Sequence, residues 1–408
     1  MKRGSVVCGE RICSLKRGSM SSQVRLRLLP SARCLFDQPV QVKVEGLRSR
    51  QVVTMRARSM DEKGVVFSSS TTYRADGSGK IDLLRDPSLS GSYVGVEPMG
   101  LLWSMKADAL HKRFQKSCAL NPHVVKFSVH EEDREDRMLA EVTNERLLIG
   151  DGVSRVLVKG RNFQGVLFTP PGEGPFPAVL DLCTLMSEKR ASLLASRGFM
   201  VLTVPVYTDH PENIKQMHLD HFKEAVDFLQ QQPKVGSTGV GIMARSKGGD
   251  IALSLAAFVS GVKAVVSING CNAVAPSIIK YGLGDPLAEE NKDSLVPIEQ
   301  AKGHFLFVAS EDDLNWDSKA YMDQMVERLK YHGKENFETL CYPGAGHLLE
   351  PPYGTYCPSS FHWILHHVVL WGGEARAHAE AEVHLWSKIQ EFFRTHLSCD
   401  AAQTKPKL

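Results

Sequence analysis

A serine within residues 241–249, GIMARSKGG, has the surroundings of a catalytic nucleophile. An apolar run precedes this serine, Ser246, and a stretch of small residues with helical character follows it. A serine at a sharp turn from strand to helix needs small residues two positions before and after it, because the backbone is strained there. Ala244 and Gly248 meet that need. The pattern predicts an exposed hydroxyl, with the Lys247 amide at a helix N-terminus where it can donate to an oxyanion. The alternative is an ordinary helix start without chemistry.

A serine hydroxyl is a weak nucleophile unless a base accepts its proton and a carboxylate orients that base. In α/β-hydrolases the chain order of these groups is serine, acid, histidine. The acidic residues Glu311, Asp312 and Asp313 follow the apolar run at 304–310, and His347 follows later in a glycine loop. Both segments come at the carboxyl ends of predicted strands, where a parallel sheet collects its reacting groups. The order predicts His347 as the base and leaves open which carboxylate orients it.

These side chains need a parallel sheet to position them, and the chain from about residue 156 onward has the pattern of one. Apolar runs such as AVVSI at 264–268 and FLFV at 305–308 alternate with stretches of helical period. In residues 214–231 the apolar positions step by three, four and three, which places them on one helix face. Such alternation predicts helices on both faces of a parallel sheet. We expect an α/β-hydrolase catalytic domain at residues 153–398.

Residues 35–152 have a different pattern, in which apolar and polar side chains alternate over short segments separated by turn residues. This period is typical of antiparallel strands, so we expect a small all-β, immunoglobulin-like sandwich domain. The basic residues 1–34 are predicted as a disordered leader, either before an internal start at Met20 or as a mitochondrial presequence. Residues 399–408 are predicted as a tail. It ends in Pro-Lys-Leu, which is either close to the peroxisomal Ser-Lys-Leu address or simply polar.

Composition argues against several classes of protein. Lys plus Arg number 49 and Asp plus Glu 46, a net charge of +3, which disfavours a dedicated nucleic-acid binder. No apolar run approaches the roughly 18 residues of a membrane-spanning helix, so we expect a soluble protein without an integral membrane segment. Nine scattered cysteines without a Cys-x-x-Cys pair are typical of a reducing compartment. We expect a cytoplasmic monomer, with the peroxisome and the mitochondrion as alternative compartments.

Two other groups of reactive side chains have weaker patterns. His362, His366 and His367 include an i, i+4 pair, but no carboxylate stands between them as in His-Glu-x-x-His, so we expect no metal site. Cys341 and Cys357 lie near the candidate base in sequence. Neither follows a strand-to-helix turn, and we interpret both as packing residues.

With these residues in place, the chain resembles the type I acyl-CoA thioesterases and their relative, bile acid-CoA:amino acid N-acyltransferase, from about residue 35 to 397. The segments that carry the resemblance are YRAD at 73–76, EPMGLLW at 97–103, SKGG at 246–249, ING at 268–270, DDLNW at 312–316, GH at 346–347, EPPY at 350–353 and WGGEARAH at 371–378. The resemblance implies a triad of Ser246 as nucleophile, His347 as general base and Asp313 as the acid that orients it. It also implies hydrolysis, since the acyltransferase branch has cysteine at the nucleophile position.

Three features depart from the family pattern. Ala244 replaces the first glycine of the nucleophile motif. Residues 183–190, CTLMSEKR, replace a longer glycine-rich loop expected to supply the second oxyanion donor. Losing one such donor typically costs roughly 10²–10³ in turnover. Residues 277–293 are shorter than the family's insertion at this place, which changes the expected acyl pocket.

The residues and the resemblance together predict a hydrolase of fatty acyl-CoA that works through an acyl-serine intermediate and needs no metal or other cofactor. The amides of Lys247 and of Cys183 or Thr184 would hold the oxyanion. One alternative is an N-acyltransferase that passes the acyl group to an amino acid. The other is an acyl-CoA binder with weak catalysis or none.

Overall fold

The computed structural model describes residues 23–132, 134–207, 218–273, 294–362 and 365–397. The first strands are β1 (Arg25–Leu29), β2 (Arg33–Leu35), β3 (Gln41–Glu45), β4 (Val52–Met60), β5 (Val66–Arg74), β6 (Ile81–Asp82), β7 (Ser90–Gly91), β8 (Lys106–Ala107), β9 (His123–Glu131) and β10 (Arg134–Leu147). The later strands are β11 (Ser154–Lys159), β12 (Gln164–Thr169), β13 (Phe176–Cys183), β14 (Met200–Pro205), β15 (Val235–Arg245), β16 (Val262–Ile268), β17 (His304–Ser310), β18 (Phe337–Tyr342), β19 (Ser359–His362) and β20 (His367–Leu370). The helices are α1 (Gly100–Trp103), α2 (Lys189–Ala195), α3 (Leu219–Gln230), α4 (Gly248–Phe258), α5 (Ser318–Tyr331) and α6 (Ala375–His396).

The first part of the chain is a sandwich of mostly antiparallel sheets. Among the described residues, β1, β3 and β6 form one sheet, and β2, β10, β9, β4, β5 and β7 form another in that order, with β8 beside β5. Alternate residues of the central strands are almost fully buried: Val53, Met55 and Ala57 on β4, and Val125, Phe127 and Val129 on β9. Their side chains form one apolar core together with residues of β1 and β3. The predicted β-sandwich is confirmed.

The sandwich begins earlier in the chain than the sequence pattern predicts. Residues 25–29 form β1 and pair antiparallel with β3, and residues 33–35 form β2. Leu26 and Leu28 of β1 are buried, whereas the arginines on either side of Leu26 are exposed. The prediction of a disordered leader is therefore wrong over these strands, because alternating Leu and Arg make a half-buried strand in spite of the net positive charge.

The second part of the chain contains a central sheet with helices on both faces. In the described ranges its order is β11-β12-β14-β13-β15-β16-β17-β18, with β13 to β18 parallel and β11 and β12 antiparallel. Helices α3, α4 and α5 pack on one face, and α2 and α6 pack on the other. The predicted α/β-hydrolase fold class is confirmed. The carboxyl ends of β13, β15, β17 and β18 lie along one edge of the sheet, where chemistry is expected in such folds.

Polar contacts join the sandwich to the part that contains the central sheet. Asp37, which follows β2, accepts hydrogen bonds from Arg197 at 2.7 Å and from the Trp386 indole at 2.8 Å. Arg376 of α6 forms an ion pair with Glu97 at 3.0 Å. The chain passes from one part to the other between β10 and β11, and the domain limits at 152 and 153 stay predictions. In the described ranges, every helix is too short or too polar to cross a bilayer.

Candidate active site

Ser246 lies at the sharp turn between β15 and α4. Its backbone has φ of +57°, a left-handed conformation that non-glycine residues rarely adopt and that marks a strained turn. Its amide donates to the Ile268 carbonyl at 3.0 Å, and its carbonyl accepts from Gly249 at 2.8 Å. A Cβ on Gly249 would lie 2.8 Å from the Gly270 Cα, so the helix start approaches the neighbouring strand end as closely as glycine permits. The backbone therefore presents a half-buried hydroxyl at the sheet edge.

Asp313 and His347 lie on the next two loops along the same edge and contact each other. Asp313 Oδ2 lies 2.7 Å from His347 Nδ1. An ionised carboxylate only accepts hydrogen bonds, so Nδ1 carries the proton and Nε2 is left as the acceptor of the neutral ring. Burial by itself raises the pKa of the Asp313 carboxyl, but the His347 ring, Ser318 and the Trp316 amide outweigh burial and hold that pKa below its ordinary value. Asp313 is therefore an anion at neutral pH, suited to orient an imidazole.

The structure distinguishes Asp313 from the two acidic residues before it. Glu311 and Asp312 are exposed. The Asp312 amide donates a hydrogen bond to the Ala345 carbonyl, and its carbonyl accepts one from the Gly373 amide. Order along the chain leaves these carboxylates equivalent, whereas in the structure it is Asp313 that hydrogen-bonds to His347.

His347 is fully buried, between aromatic rings and an amide. Its ring stacks on Trp371 at a centroid distance of 5.5 Å and lies 5.8 Å from the ring of Trp316. Its carbonyl accepts from the Asn269 side chain at 2.9 Å. The Asn315 side chain lies 3.4 Å from Nε2, and the described chain shows no hydrogen bond from Ser246 to this nitrogen. Sequence reasoning assigned no role to these neighbours, although each lies in a segment that carries the family resemblance.

The predicted oxyanion donors lie beside the Ser246 turn. In the central sheet Leu182 of β13 pairs with Ala244 of β15, and a Cβ on Gly248 would lie 3.2 Å from the Leu182 carbonyl oxygen. Cys183, the residue after Leu182, ends β13, and Thr184 follows it. This register places the end of β13, which leads to Cys183 and Thr184, beside the end of β15, which leads to Lys247.

The Cys183 thiol is not a second nucleophile. Its side chain is buried against Thr203 and the Val204 carbonyl. Burial raises the pKa of this thiol to about 11, so it is neutral at physiological pH. Any contribution of Cys183 to chemistry is therefore through its backbone.

The remaining sequence candidates have contacts of their own. His362 and His367 face each other across the β19–β20 hairpin, and burial lowers the pKa of His362 to about 4. Cys357 is half-buried, with its sulfur 3.8 Å from the Lys112 carbonyl. Cys341 is half-buried and contacts Glu311. In the part of the chain that the structure describes, no group of His, Cys, Asp and Glu side chains converges as metal ligands do.

A cavity of about 90 Å³ with both polar and apolar lining lies between the sandwich and the central-sheet part, beside the His347 loop. Among its lining residues are Arg113, Lys116, Lys189, Glu350, His378 and Glu382. Its lining includes Leu348 but neither Ser246 nor His347. The cavity is therefore distinct from the space around the reacting groups. The predicted short segment at 277–293 lies outside the described residues.

Gly372 limits how the Asp313 loop can pack, and its replacement gives a stability prediction. Gly372 pairs with Asp313 and has φ of +73°. A Cβ there would overlap the Asp312 carbonyl oxygen, so Gly372→Ala should cost about 3 kcal/mol or more of unfolding free energy. Gly64 is the matched control, because it has φ of +79° but no atom within 4 Å of an added Cβ. Gly64→Ala should cost about 1 kcal/mol. If urea unfolding shows equal losses of unfolding free energy for Gly372→Ala and Gly64→Ala, close packing around Gly372 does not limit stability.

Comparison with known proteins identifies the family. The family model described as "Acyl-CoA thioester hydrolase/BAAT N-terminal region" matches residues 37–160. A second family model, "BAAT / Acyl-CoA thioester hydrolase C terminal", matches residues 217–282 and 277–399. Mouse acyl-coenzyme A thioesterase 1 is 38% identical over 95% of this chain and 100% of its own length. Mouse acyl-coenzyme A thioesterase 3 is 40% identical over 91% of this chain and 94% of its own length. Human mitochondrial acyl-coenzyme A thioesterase 2 is 38% identical over 91% of this chain and 84% of its own length. The chain belongs to the acyl-CoA thioester hydrolase/BAAT family.

Proposed function

We propose that this protein hydrolyses fatty acyl-CoA to free fatty acid and CoA through an acyl-serine intermediate on Ser246. The observation that carries the proposal is the 2.7 Å hydrogen bond between Asp313 and His347, which leaves Nε2 of the imidazole as a base. The strained turn at Ser246 supports it, because such a turn exposes a nucleophile. Relatives named as acyl-coenzyme A thioesterases supply the substrate class.

In the first half of the reaction, the Ser246 oxygen attacks the thioester carbonyl while its proton passes to His347 Nε2. The carbonyl oxygen becomes an oxyanion, held by the amides of Lys247 and of Cys183 or Thr184. The carbon–sulfur bond then breaks, and the leaving sulfur takes the proton from the imidazolium, so CoA departs as the thiol and Nε2 is again free to act as a base. Asp313 stabilises the imidazolium throughout.

In the second half, water attacks the acyl-serine ester and gives its proton to His347 Nε2. The new tetrahedral intermediate collapses by breaking the bond to Ser246, and the imidazolium returns the proton to the serine oxygen. Nε2 of His347 lies 3.4 Å from the Asn315 side-chain nitrogen, which is longer than a typical hydrogen bond. In the proposed reaction Nε2 turns from Asn315 to Ser246, as is common when catalytic hydrogen bonds form only with substrate.

The direct test is release of thiol and fatty acid from a series of acyl-CoA chain lengths. We expect equal amounts of the two products and a clear optimum in chain length. Adding glycine or taurine tests the acyltransferase alternative, which predicts an N-acyl amino acid in place of free fatty acid. Acyl-CoA binding without product would leave the non-catalytic binder and contradict the proposal.

We place this activity in the cytoplasm, as the sequence predicts. The alternatives depend on segments outside the described residues, namely the first 22 residues of the basic leader and the C-terminal Pro-Lys-Leu. Imaging of the full chain with a tag at either end tests all three compartments.

A further inference from the structure

Two charged side chains connect the Ser246 turn to the His347 loop. Arg245 precedes the serine, and Glu350 follows the histidine by three residues. Arg245 Nη1 donates to the Leu349 carbonyl at 3.0 Å and also to the Glu350 carboxylate. The arginine is 7% exposed, so these hydrogen bonds are shielded from water. The residue next to the proposed nucleophile is thus held by the segment that carries the proposed base.

The Glu350 carboxylate also contacts cations from other parts of the molecule. Arg113, from the chain between β8 and β9, donates to it at 3.0 Å, and Lys189, the first residue of α2, lies 3.6 Å away. Lys189 follows the loop that contains the proposed oxyanion donors. Burial alone raises the pKa of Glu350, but Arg245, Lys189 and Arg113 outweigh burial and hold that pKa well below its ordinary value. Glu350 therefore stays charged at neutral pH.

Such a cluster is weak evidence for stability, because the cost of desolvating buried charges largely cancels their attraction. Its hydrogen bonds nevertheless fix geometry. The described chain shows no hydrogen bond from Ser246 to His347, so the surrounding contacts set the separation of these two residues. A misplacement of about 1 Å at a reacting centre can cost on the order of 10²-fold in rate.

We propose that Arg245 and Glu350 are positioning residues, whose ion pair holds the Ser246 turn and the His347 loop at the separation that proton transfer requires. The inference rests on the proposed function, in which His347 takes the serine proton. Neither side chain touches the reacting atoms in this mechanism. Their loss should therefore lower kcat with little effect on KM.

Glu350→Gln keeps the shape of the side chain and removes the charge that Arg245, Arg113 and Lys189 share. We expect kcat for acyl-CoA hydrolysis to fall by about 10- to 100-fold, with KM changed by less than about threefold. Labelling of Ser246 by a small fluorophosphonate should slow by a similar factor, because it requires the same proton transfer but no CoA contact. Arg245→Lys keeps the charge and loses the planar guanidinium, so it should show a smaller loss of the same kind. Arg245→Lys also tests the positioning role if the Glu350→Gln variant does not fold.

Glu299→Gln is the matched control. The Glu299 side chain is 15% exposed, as is that of Glu350, and it pairs with Arg328 at 2.6 Å. It lies in the turn before β17, at the opposite end of that strand from Asp313. Its replacement should leave kcat and the labelling rate within about twofold of wild type.

Unchanged kcat and labelling in folded Glu350→Gln and Arg245→Lys would overturn this inference and leave the proposed function intact. An equal loss in Glu299→Gln would also overturn it, because the effect would then be general to Arg–Glu ion pairs that are at least partly buried. Labelling of Ser246 without hydrolysis of any acyl-CoA would refute the substrate, and the labelling rates of the variants would still decide the positioning role. Wild-type protein with neither hydrolysis nor labelling would overturn both.

Discussion

Replacing Ser246 with alanine should lower the rate of thioester hydrolysis by about 10⁶-fold, the loss typical when a well-built triad loses its nucleophile. The alanine has no atom that can form the acyl ester, and the residual rate reports only substrate binding and oxyanion stabilisation. The measurement is thiol release under saturating acyl-CoA. Circular dichroism should show an unchanged fold, since the hydroxyl makes no hydrogen bond within the described chain.

Ser267→Ala is the control for this variant. Ser267 lies beside the same turn, with its oxygen 3.1 Å from the position of a Cβ on Gly249. Its hydroxyl is buried and has no hydrogen-bond partner among the described residues. Its removal should therefore change the rate by less than about threefold. A Ser246→Ala protein that retains the wild-type rate, or a Ser267→Ala protein that loses it, would contradict the assignment of the nucleophile.

Asp313→Asn should lower kcat by about 10⁴-fold, as expected when an amide replaces the acid of a serine triad. The amide no longer requires a proton on Nδ1 of His347, so the proton can move to Nε2 and block the base. It also provides no negative charge for the imidazolium. Because the pKa of Asp313 lies below its ordinary value, the wild-type carboxylate is ionised throughout the neutral range. The loss should therefore be present at every pH from about 6 to 8.

Asp312→Asn is the matched control for the acid. This neighbouring carboxylate is exposed, and among the described residues the hydrogen bonds of Asp312 are made by its backbone. We expect less than about a threefold change in kcat. If Asp312→Asn loses more activity than Asp313→Asn, the acid is misassigned and the loop adopts another arrangement when substrate binds.

The main features of the site follow from local signals in the sequence. Small residues around Ser246, an acidic loop after one strand and His347 after the next predict which segments supply side chains to the sheet edge. Sequence spacing does not show whether Asp312 or Asp313 orients the histidine. The two residues are adjacent, and their side chains can point in different directions. In the structure the Asp313 side chain points inward and contacts His347.

Other features depend on contacts between residues far apart in the chain. Arg245 and Glu350 are 105 residues apart and carry no pattern that links them. The position of Asn315 beside His347 Nε2 depends on the conformation of a loop, which residue types alone do not determine. By contrast, strand β1 had a readable signal in Leu26 and Leu28, which the dense positive charge of the leader obscures.

The most direct test is rapid acid quenching of wild-type protein mixed with a long-chain acyl-CoA, followed by peptide mass spectrometry. We expect an acyl group on the peptide that contains residue 246, and its formation should be at least as fast as the release of free CoA. Steady release of CoA with that peptide never acylated would contradict this expectation.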